Sequence, residues 1–505
     1  MTDPTRSLDH GQRWRAFWVC ASVASLTIID LSKVNVALPS LEQALGATST
    51  ELQIIVSGYV LMFGLALVPF GRLGDQRSRW TLFIVGLSLF ALTSIVCALA
   101  PTAEVLIVGR LLQGMAAGIQ MPQVLGVIQQ IFVGAERGRA FGLFGATMGV
   151  ATAIGPTLGG LLIALGGAQD GWRWIFWINV PLSLVVLAGV VWMLPRVRKP
   201  ASKVHVDPVG LVLFAATVIT LMWPFLFTTG SPDDDPRRWW TLVLFVLCAT
   251  AFTWWERRYA AGGRPPLVPF SLFSIASYRN GTLIVSAVFT AMPAMFLLTN
   301  LFLQLGVGLE PVFAGMVSMG FAIASAVTSW IGGTLVGRYG RPLVVWGLVI
   351  MLGSVAVLAV VAYTAPADVV AYAMAGVLLV CGAGSGFVIS PNQALTLAEI
   401  PPRQGGLAGS VGQLGQRVGG AIGTGIGLSL FYAAIFRGQA AGREGLDAYH
   451  EAFAYGMIAV GLFLALAFLV GVVDLAPRPR GGAAANTAER AVPAAGRGGD
   501  VGGLA

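Results

Sequence analysis

Three of the charged residues inside apolar segments could together bind and release a proton. Asp30 is the one carboxylate near the middle of such a segment, and Lys33 follows on nearly the same helix face. Arg110 lies in another apolar segment. At about 1.5 Å per residue, Asp30 and Arg110 lie roughly 12 and 10 Å below the same end of their segments. They can therefore meet if the two helices are neighbours.

A carboxylate at this depth has two interpretations. An unpaired charge inside a membrane costs several kcal/mol, so an ionisable group there is a functional candidate. Burial and nearby cations act on its proton affinity in opposite directions, and a conformational change that alters either would load or release a proton. The alternative is a static network of Asp30, Lys33 and Arg110 that fixes the register of the helices.

The elements that position these residues are predicted to be membrane-spanning helices. The 505 residues are 56% hydrophobic and only 11% charged, which is too apolar for a soluble protein of this length. Nearly all of the apolar segments reach the roughly 17–25 residues that a helix needs to cross a bilayer. We count fourteen, at about 16–38, 52–70, 80–100, 104–132, 140–166, 175–194, 209–229, 239–255, 281–305, 312–336, 343–364, 369–391, 407–436 and 452–475. The fold class is therefore all-α, with the lipid bilayer as solvent.

The basic residues are distributed unevenly, which predicts the orientation in the membrane. If the N-terminus is cytoplasmic, 23 of the 31 Lys and Arg residues lie on the cytoplasmic side, five on the other side and three within apolar segments. Because basic loops stay inside, we expect a plasma (inner) membrane protein with both termini cytoplasmic. The tails are 1–15 and 476–505, the latter predicted to be disordered. The net charge of +8 then reflects the orientation of the chain in the membrane. It does not indicate a nucleic-acid partner, and we expect none.

An internal repeat divides the chain into two related halves. The stretch GRLGDQRSR at 71–79, here called the first gating loop, is echoed 262 residues later by GTLVGRYGR at 333–341, the second gating loop. Glycines permit close helix packing, and arginines can form charge-assisted hydrogen bonds with a carboxylate. The loops are predicted to act as latches that break and reform, with a weaker latch in the second because Gly337 replaces Asp75. The gating residues are Gly71, Gly74, Asp75, Arg79, Gly333, Arg338 and Arg341.

The position of the echo predicts the domain organisation. The second gating loop follows span ten rather than span eight, so two extra spans lie between two six-helix bundles at 16–194 and 281–475. The linker at 195–280 contains the extra helices at about 209–229 and 239–255. Because these helices have no charged residue in their cores, a lipid-facing structural hairpin is favoured.

Small residues dominate span five. Gly149 precedes the run Gly155-Pro156-Thr157-Leu158-Gly159-Gly160. Glycines at this spacing allow close helix packing, and Pro156 permits a bend. A tightly packed, bendable helix suits a pivot, although generic glycine packing is the alternative.

Several further polar residues are predicted to lie at membrane depth, where they should face an aqueous cavity or each other. The candidate substrate-cavity residues are Lys33, Asn35, Gln113, Gln120, Asn300, Gln304, Gln413 and Arg417.

These motifs resemble those of the major facilitator superfamily of transporters. The gating loops resemble its signature loop, and the stretch from Ile29 to Pro39 resembles span one of its fourteen-span drug:proton antiporter branch. The span-five run resembles the antiporter motif of export-type members. The resemblance implies two six-helix bundles plus two additional helices, and proton coupling through Asp30 and Arg110. Lys33 departs from the branch, in which an aliphatic residue is usual.

We therefore predict a transporter and not an enzyme. Loops are short, and neither a catalytic His or Cys constellation nor a phosphate-binding loop for ATP occurs. The resemblance implies proton-driven efflux of an amphipathic drug or antibiotic-like metabolite by alternating access, with substrate and protons as partners. We expect a monomer that needs no metal and no cofactor. Lys33, Arg110 and Arg417 outnumber Asp30, which keeps open the alternative of a transporter for a specific anionic metabolite.

Overall fold

The first two helices begin at side chains that satisfy exposed backbone groups. A computed structural model describes residues 8–195, 207–228, 234–440 and 446–475. Asp9 accepts from the backbone N–H of Gln12, whose side chain accepts from the backbone of Asp9. Thr48 and Glu51 form the same reciprocal cap. Such caps bind N–H groups that have no partner within a helix.

Helices account for the membrane part of the fold, because lipid offers no partner to an open backbone N–H or C=O. Fourteen helices of the described chain are long and apolar enough to cross a membrane, and the same residues contain no strand. The helices are α1 (His10–Leu45), α2 (Ser49–Gln76), α3 (Arg79–Ala98), α4 (Ala103–Ile131), α5 (Gly134–Trp177), α6 (Asn179–Met193), α7 (Pro208–Leu226), α8 (Thr241–Ala261), α9 (Ala276–Leu301), α10 (Met319–Tyr339), α11 (Arg341–Thr364), α12 (Val370–Thr396), α13 (Gly405–Ala440) and α14 (Leu446–Leu475). The prediction of an all-α membrane protein with fourteen spans is confirmed.

Two helices depart from a simple span. A break at Gly167, where φ is 82°, ends the fifth span within α5, and the sixth span runs from Asp170 through α6 to Met193. A short helix, Pro311–Met316, leads into α10 and belongs to the same span. The predicted disordered tail at 476–505 lies outside the described residues.

The helices form two bundles, each with its own apolar core. In the first, α1 packs against α5, and α4 packs against α2 and α3. In the second, α9 packs against α13 and α14, and α12 packs against α10 and α11. Fully buried aromatic side chains such as Phe83 and Phe90 fill the first core, and Leu348 and Phe431 lie in the second.

The bundles meet mainly along two helix pairs, α5 with α10 and α2 with α13, and less extensively where α4 packs on α13 and α5 on α12. Near the gating loops, a β-carbon placed on Gly333 would lie 2.3 Å from the Cα of Gly142, so the backbones of α5 and α10 touch. Towards its other end α5 packs on α1 instead, with Gly155 and Gly159 against Ser32 and Lys33. The two halves are therefore held together at the gating-loop end.

The inserted helices lie at the junction of the halves. Helix α7 packs against both α2 and α13, and α8 packs mainly on α7. Phe214 and Met222 of α7 share an apolar cluster with Val68 of α2 and Ala421 of α13. The expected lipid-facing position describes α8, which exposes many apolar side chains, whereas α7 contacts both bundles.

The segment that follows α8 is tied to the first gating loop. The Arg72 guanidinium lies 3.5 Å from the carbonyl oxygen of Leu267. The Glu256 carboxylate accepts from the backbone N–H of Val268 at 3.1 Å. The linker between the halves is thus fastened at the cytoplasmic ends predicted for α2 and α8.

The contact between Gly142 and Gly333 gives a test of what holds this end closed. Gly333→Ala should open it, because the new methyl group meets backbone that cannot yield, and overpacking costs about 1–3 kcal/mol. A cysteine placed at Ser329, in a background without the four native cysteines, should then react with an impermeant maleimide at least about fivefold faster. Gly337→Ala is the matched control, since a β-carbon there meets nothing within 4 Å. A wild-type labelling rate in Gly333→Ala would contradict the expectation.

Candidate functional site

The buried carboxylate of Asp30 is held by side chains from three helices. Arg110 of α4 donates from NH1 to Asp30 Oδ2 at 2.8 Å. Asn179, the first residue of α6, donates from Nδ2 to Oδ1 at 2.7 Å. Lys33, one turn along α1, places Nζ 3.5 Å from Oδ1 and donates to Asn179 Oδ1. All four side chains are fully buried, and α1 and α4 are neighbours as the depth argument required.

Further polar groups extend the network around Arg110. Its NH1 also donates to Gln113 Oε1 at 2.7 Å, and Gln113 Nε2 donates to Ser94 Oγ at 2.8 Å. The guanidinium lies 4.1 Å from the centre of the Tyr59 ring on α2. Its NH2 group has no hydrogen-bond partner among the described residues. Arg110 is therefore the point where the carboxylate meets α2.

The network can do proton chemistry without a cofactor. With all groups ionised it carries two cations and one anion, which leaves one net positive charge inside the bundle. Breaking a buried ion pair by removing one partner leaves an uncompensated charge and is strongly unfavourable. Proton binding at Asp30 would remove the anion in this way and leave the charges of Arg110 and Lys33 uncompensated.

Three side chains of this network, Asn179, Tyr59 and Ser94, were not predicted from the sequence. Asn179 follows the aromatic run at 172–177, which is typical of a membrane interface, and Tyr59 looks like an ordinary apolar residue of span two. The sequence feature that could have indicated a role for Asn179 is its amide side chain, which stands alone between aromatic and apolar residues. Nothing in the sequence indicates that Tyr59 lies beneath Arg110, because that depends on the packing of α2 on α4.

The predicted cavity residues are placed in different surroundings. Lys33 and Gln113 belong to the Asp30 network, and Gln120 is buried with its Nε2 donating to Thr27 Oγ1 at 2.9 Å. Asn35 is exposed on α1.

The second half contains the remaining four cavity residues. Asn300 donates to the carbonyl of Phe296 one turn earlier, and Gln304 lies in a π-helical turn at the end of α9. Gln413 and Arg417 lie one turn apart on α13.

The first gating loop connects the halves. Most of it is the last turns of α2, and the side chain of Asp75 accepts from the backbone N–H groups of Gly406 and Leu407 at 3.1 and 2.8 Å. These N–H groups open α13, where the helix dipole favours an anion. Arg79 binds Asp75 at 2.6 Å and donates to the carbonyl of Pro402 at 3.3 Å. One carboxylate thus caps a helix of the other half.

Glycines allow this contact. A β-carbon on Gly71 would lie 2.5 Å from Ser410 Oγ of α13, and one on Gly74 would lie 1.9 Å from Gln123 Oε1 of α4. Larger residues would push α2 away from both helices.

The polar bonds of Arg341 in the second gating loop lie within its own half, whereas Gly333 packs on α5 of the other half. Arg341 forms an ion pair with Asp474 at the end of α14, 2.6 Å from Nε to Oδ2, and donates to Asn392 Oδ1 at 2.9 Å. Gly337 supplies no carboxylate, so the acid comes from another helix. Arg338 is exposed. The two loops are therefore related in sequence but differ in what they connect.

The span-five motif lies beside the proton network. A β-carbon on Gly155 would lie 2.5 Å from Ser32 Cβ, and one on Gly159 would lie 3.0 Å from Lys33 Cβ. Gly149 faces α10 of the other half, a β-carbon on Gly160 meets nothing within 4 Å, and Pro156 continues the helix. Helix α5 therefore contacts both the surroundings of Asp30 and the second bundle.

Comparison with known proteins identifies the class. The profile of the Major Facilitator Superfamily matches residues 20–424, so the chain belongs to this superfamily and is a transporter, not an enzyme. The probable actinorhodin transporter of Streptomyces coelicolor is 29% identical, over 84% of this chain and 73% of that protein. The puromycin resistance protein pur8 of Streptomyces alboniger is 30% identical, over 82% and 80%.

Similarity to solved structures, at low sequence identity, supports the fold and nothing beyond the fold. The human organic anion transporter MFSD10 has a TM-score of 0.63 and 13% identity, over 90% of this chain and 99% of that chain.

The charge of Lys33 provides a test of what the network selects. Lys33→Leu removes one of the two cations beside Asp30, so the ionised network becomes neutral. We expect the preference to shift towards lipophilic cations, because they are then repelled less. Competition between a cationic dye and a neutral substrate over a range of pH measures the shift. An unchanged ranking and pH profile would assign Lys33 to structure alone.

Proposed function

We propose that this protein exports amphipathic small molecules in exchange for protons, by alternating access between its two bundles. The observation that carries the proposal is the buried Asp30 carboxylate, shared by Arg110, Lys33 and Asn179 on three helices. Ionisable groups inside a membrane protein are costly and mark ion or proton pathways. The proton gradient is the energy source.

Helix α5 links the proton site to the movement of the halves. Proton binding at Asp30 leaves Arg110 and Lys33 without their shared anion, so the cations and their helices shift. Gly159 of α5 packs directly on Lys33, and Gly142 of the same helix packs on Gly333 of α10. A shift of α1 is thus carried along α5 to the interface between the halves. Interfaces of this kind switch between discrete packings rather than deform continuously.

The close packing at the gating-loop end supports one particular conformation of the proposed transport cycle. The distribution of Lys and Arg supports a cytoplasmic position for this end and for both termini. The structure then corresponds to a state closed to the cytoplasm, held by the Asp75 cap on α13 and by the contact of α5 with α10. Opening for substrate from the cytoplasm requires the bonds of Asp75 to break.

The substrate class and the direction of transport are supported by the relatives. One is named as a probable transporter of actinorhodin and the other as a resistance protein against puromycin, both in Streptomyces. An exporter of drugs or antibiotic-like metabolites in the plasma membrane fits both names. Since each bundle is complete within one chain, we propose that the monomer carries out transport.

Asp30→Asn tests proton coupling. The amide keeps the shape but cannot exchange a proton, so export driven by a pH gradient should fall to background while the protein remains in the membrane. Dye export and substrate-induced proton release in vesicles provide the measurement. Asp170→Asn, at an exposed ion pair with Arg173, should retain both. Wild-type proton release in Asp30→Asn would overturn the assignment.

Asp75→Asn and Arg79→Ala test the latch. Hydrogen bonds to a charged group contribute about 1.5–3 kcal/mol, so turnover should change by about tenfold or more. Substrate affinity should change by less than about twofold, because the loop controls interconversion rather than the binding pocket. Arg338→Ala, in the second loop and exposed, is the control. A large loss of affinity with unchanged turnover would place the loop in the binding site.

A further inference from the structure

Three polar atoms near the junction of the halves lack hydrogen-bond partners among the described residues. They are Tyr59 Oη, Gln413 Oε1 and Arg417 Nε. The guanidinium of Arg417 lies 4.6 Å from the centre of the Phe63 ring. Within the part of the chain that the structure describes, Arg417 has no acidic partner and donates no hydrogen bond. Its charge is thus met only by an aromatic face.

Tyr59 lies on α2 and the other two residues lie on α13, and these two helices run side by side. Tyr59 and Phe63 are one turn apart on α2, as are Gln413 and Arg417 on α13. Arg417 is twelve residues into its helix, about 18 Å from the start.

The remaining faces of α13 are occupied. Leu414 and Val418 pack in the apolar cluster with α7, and Gly415 and Gly419 lie against Ser286 of α9. The face that carries Gln413 and Arg417 is therefore directed into the space between the bundles rather than towards lipid.

The unmet groups define the chemistry of a ligand. Leaving a buried donor or acceptor unpaired is unfavourable, and a molecule that pairs with it recovers that free energy. Arg417 requires an acceptor oxygen, the Gln413 oxygen requires a donor, and Tyr59 can donate or accept. The Arg417 guanidinium already lies over the ring of Phe63, so it accepts a flat aromatic partner.

We propose that Arg417, Gln413 and Tyr59 bind a neutral aromatic substrate that carries a carbonyl oxygen beside a hydroxyl group. Arg417 donates to the carbonyl, and Gln413 accepts from the hydroxyl. This inference rests on the proposed proton exchange and names the substrate class for it.

The sign of the coupling selects a neutral substrate over an anion. Arg417 lies over the ring of Phe63, one turn along α2 from Tyr59, and Tyr59 contacts Arg110, the partner of Asp30. An anion at Arg417 would bind best when Asp30 carries a proton, and by reciprocity it would favour proton uptake. That coupling moves anion and proton in the same direction, whereas exchange requires that they do not help each other bind. The anionic-metabolite alternative therefore predicts cotransport, not exchange.

Binding of small probe molecules to the purified full-length protein tests the site. Quenching of tryptophan fluorescence measures the binding. The probes are 1,4-dihydroxyanthraquinone, anthraquinone, anthraquinone-2-carboxylate and tetraphenylphosphonium, which has no oxygen. The dihydroxy compound should bind most tightly of the three quinones. Arg417→Gln should weaken it about tenfold and Tyr59→Phe about threefold, with the affinity for tetraphenylphosphonium unchanged.

Arg437→Gln is the matched control, because Arg437 lies on the same helix but is exposed. Unchanged binding of the dihydroxy compound in Arg417→Gln, or equal weakening of tetraphenylphosphonium, would overturn the proposed site. Tightest binding of the carboxylate, with proton uptake, would overturn the neutral class. Failure of proton exchange appears separately, as loss of any Asp30-dependent proton release while the binding that depends on Arg417 persists.

Discussion

The ion pair of Asp30 with Arg110 is the interaction on which the first bundle depends. Its two members come from α1 and α4, and Asn179 attaches α6 to the same carboxylate. Removing one partner of a buried pair costs about 3–5 kcal/mol, a large fraction of the stability of most domains. The register of three helices is thus set by one small group whose charge a single proton can cancel. Structure and proposed function depend on the same atoms.

The two gating loops of the internal repeat differ in the parts of the protein that their charged residues connect. In the first half, Asp75 reaches across to the backbone of α13, and the bond exists only while the halves are together. In the second half, Arg341 bonds to Asp474 and Asn392 of its own bundle. A contact within one rigid bundle does not change when the halves separate. At the same end of the molecule, the Asp75 contact thus joins the two bundles, whereas the Arg341 contacts lie within one bundle.

The sequence alone predicted the features that depend on local properties of the chain. It did not predict the features that depend on which helices pack together. Spans follow from apolar length, and the meeting of Asp30 with Arg110 follows from helix rise and depth. Tyr59, Asn179 and Asp474 could not be assigned, because their roles depend on which helices pack together. The position of α7 across both halves has the same cause. Asn35 is exposed on α1, and its place at the substrate cavity stays a prediction, because polarity within an apolar stretch does not reveal which way a side chain faces.

The inserted helix α7 touches two bodies that are proposed to move apart, and it cannot stay fixed to both. Its contacts with α2 and α13 are apolar side chains such as Phe214 and Met222, whose attraction has no preferred direction. The linker ahead of the second half is instead attached to α2 by the directional contact of Arg72 with Leu267. We therefore expect that, in the proposed movement, the insertion stays with the first bundle and slides over the second, which limits how far the bundles can tilt.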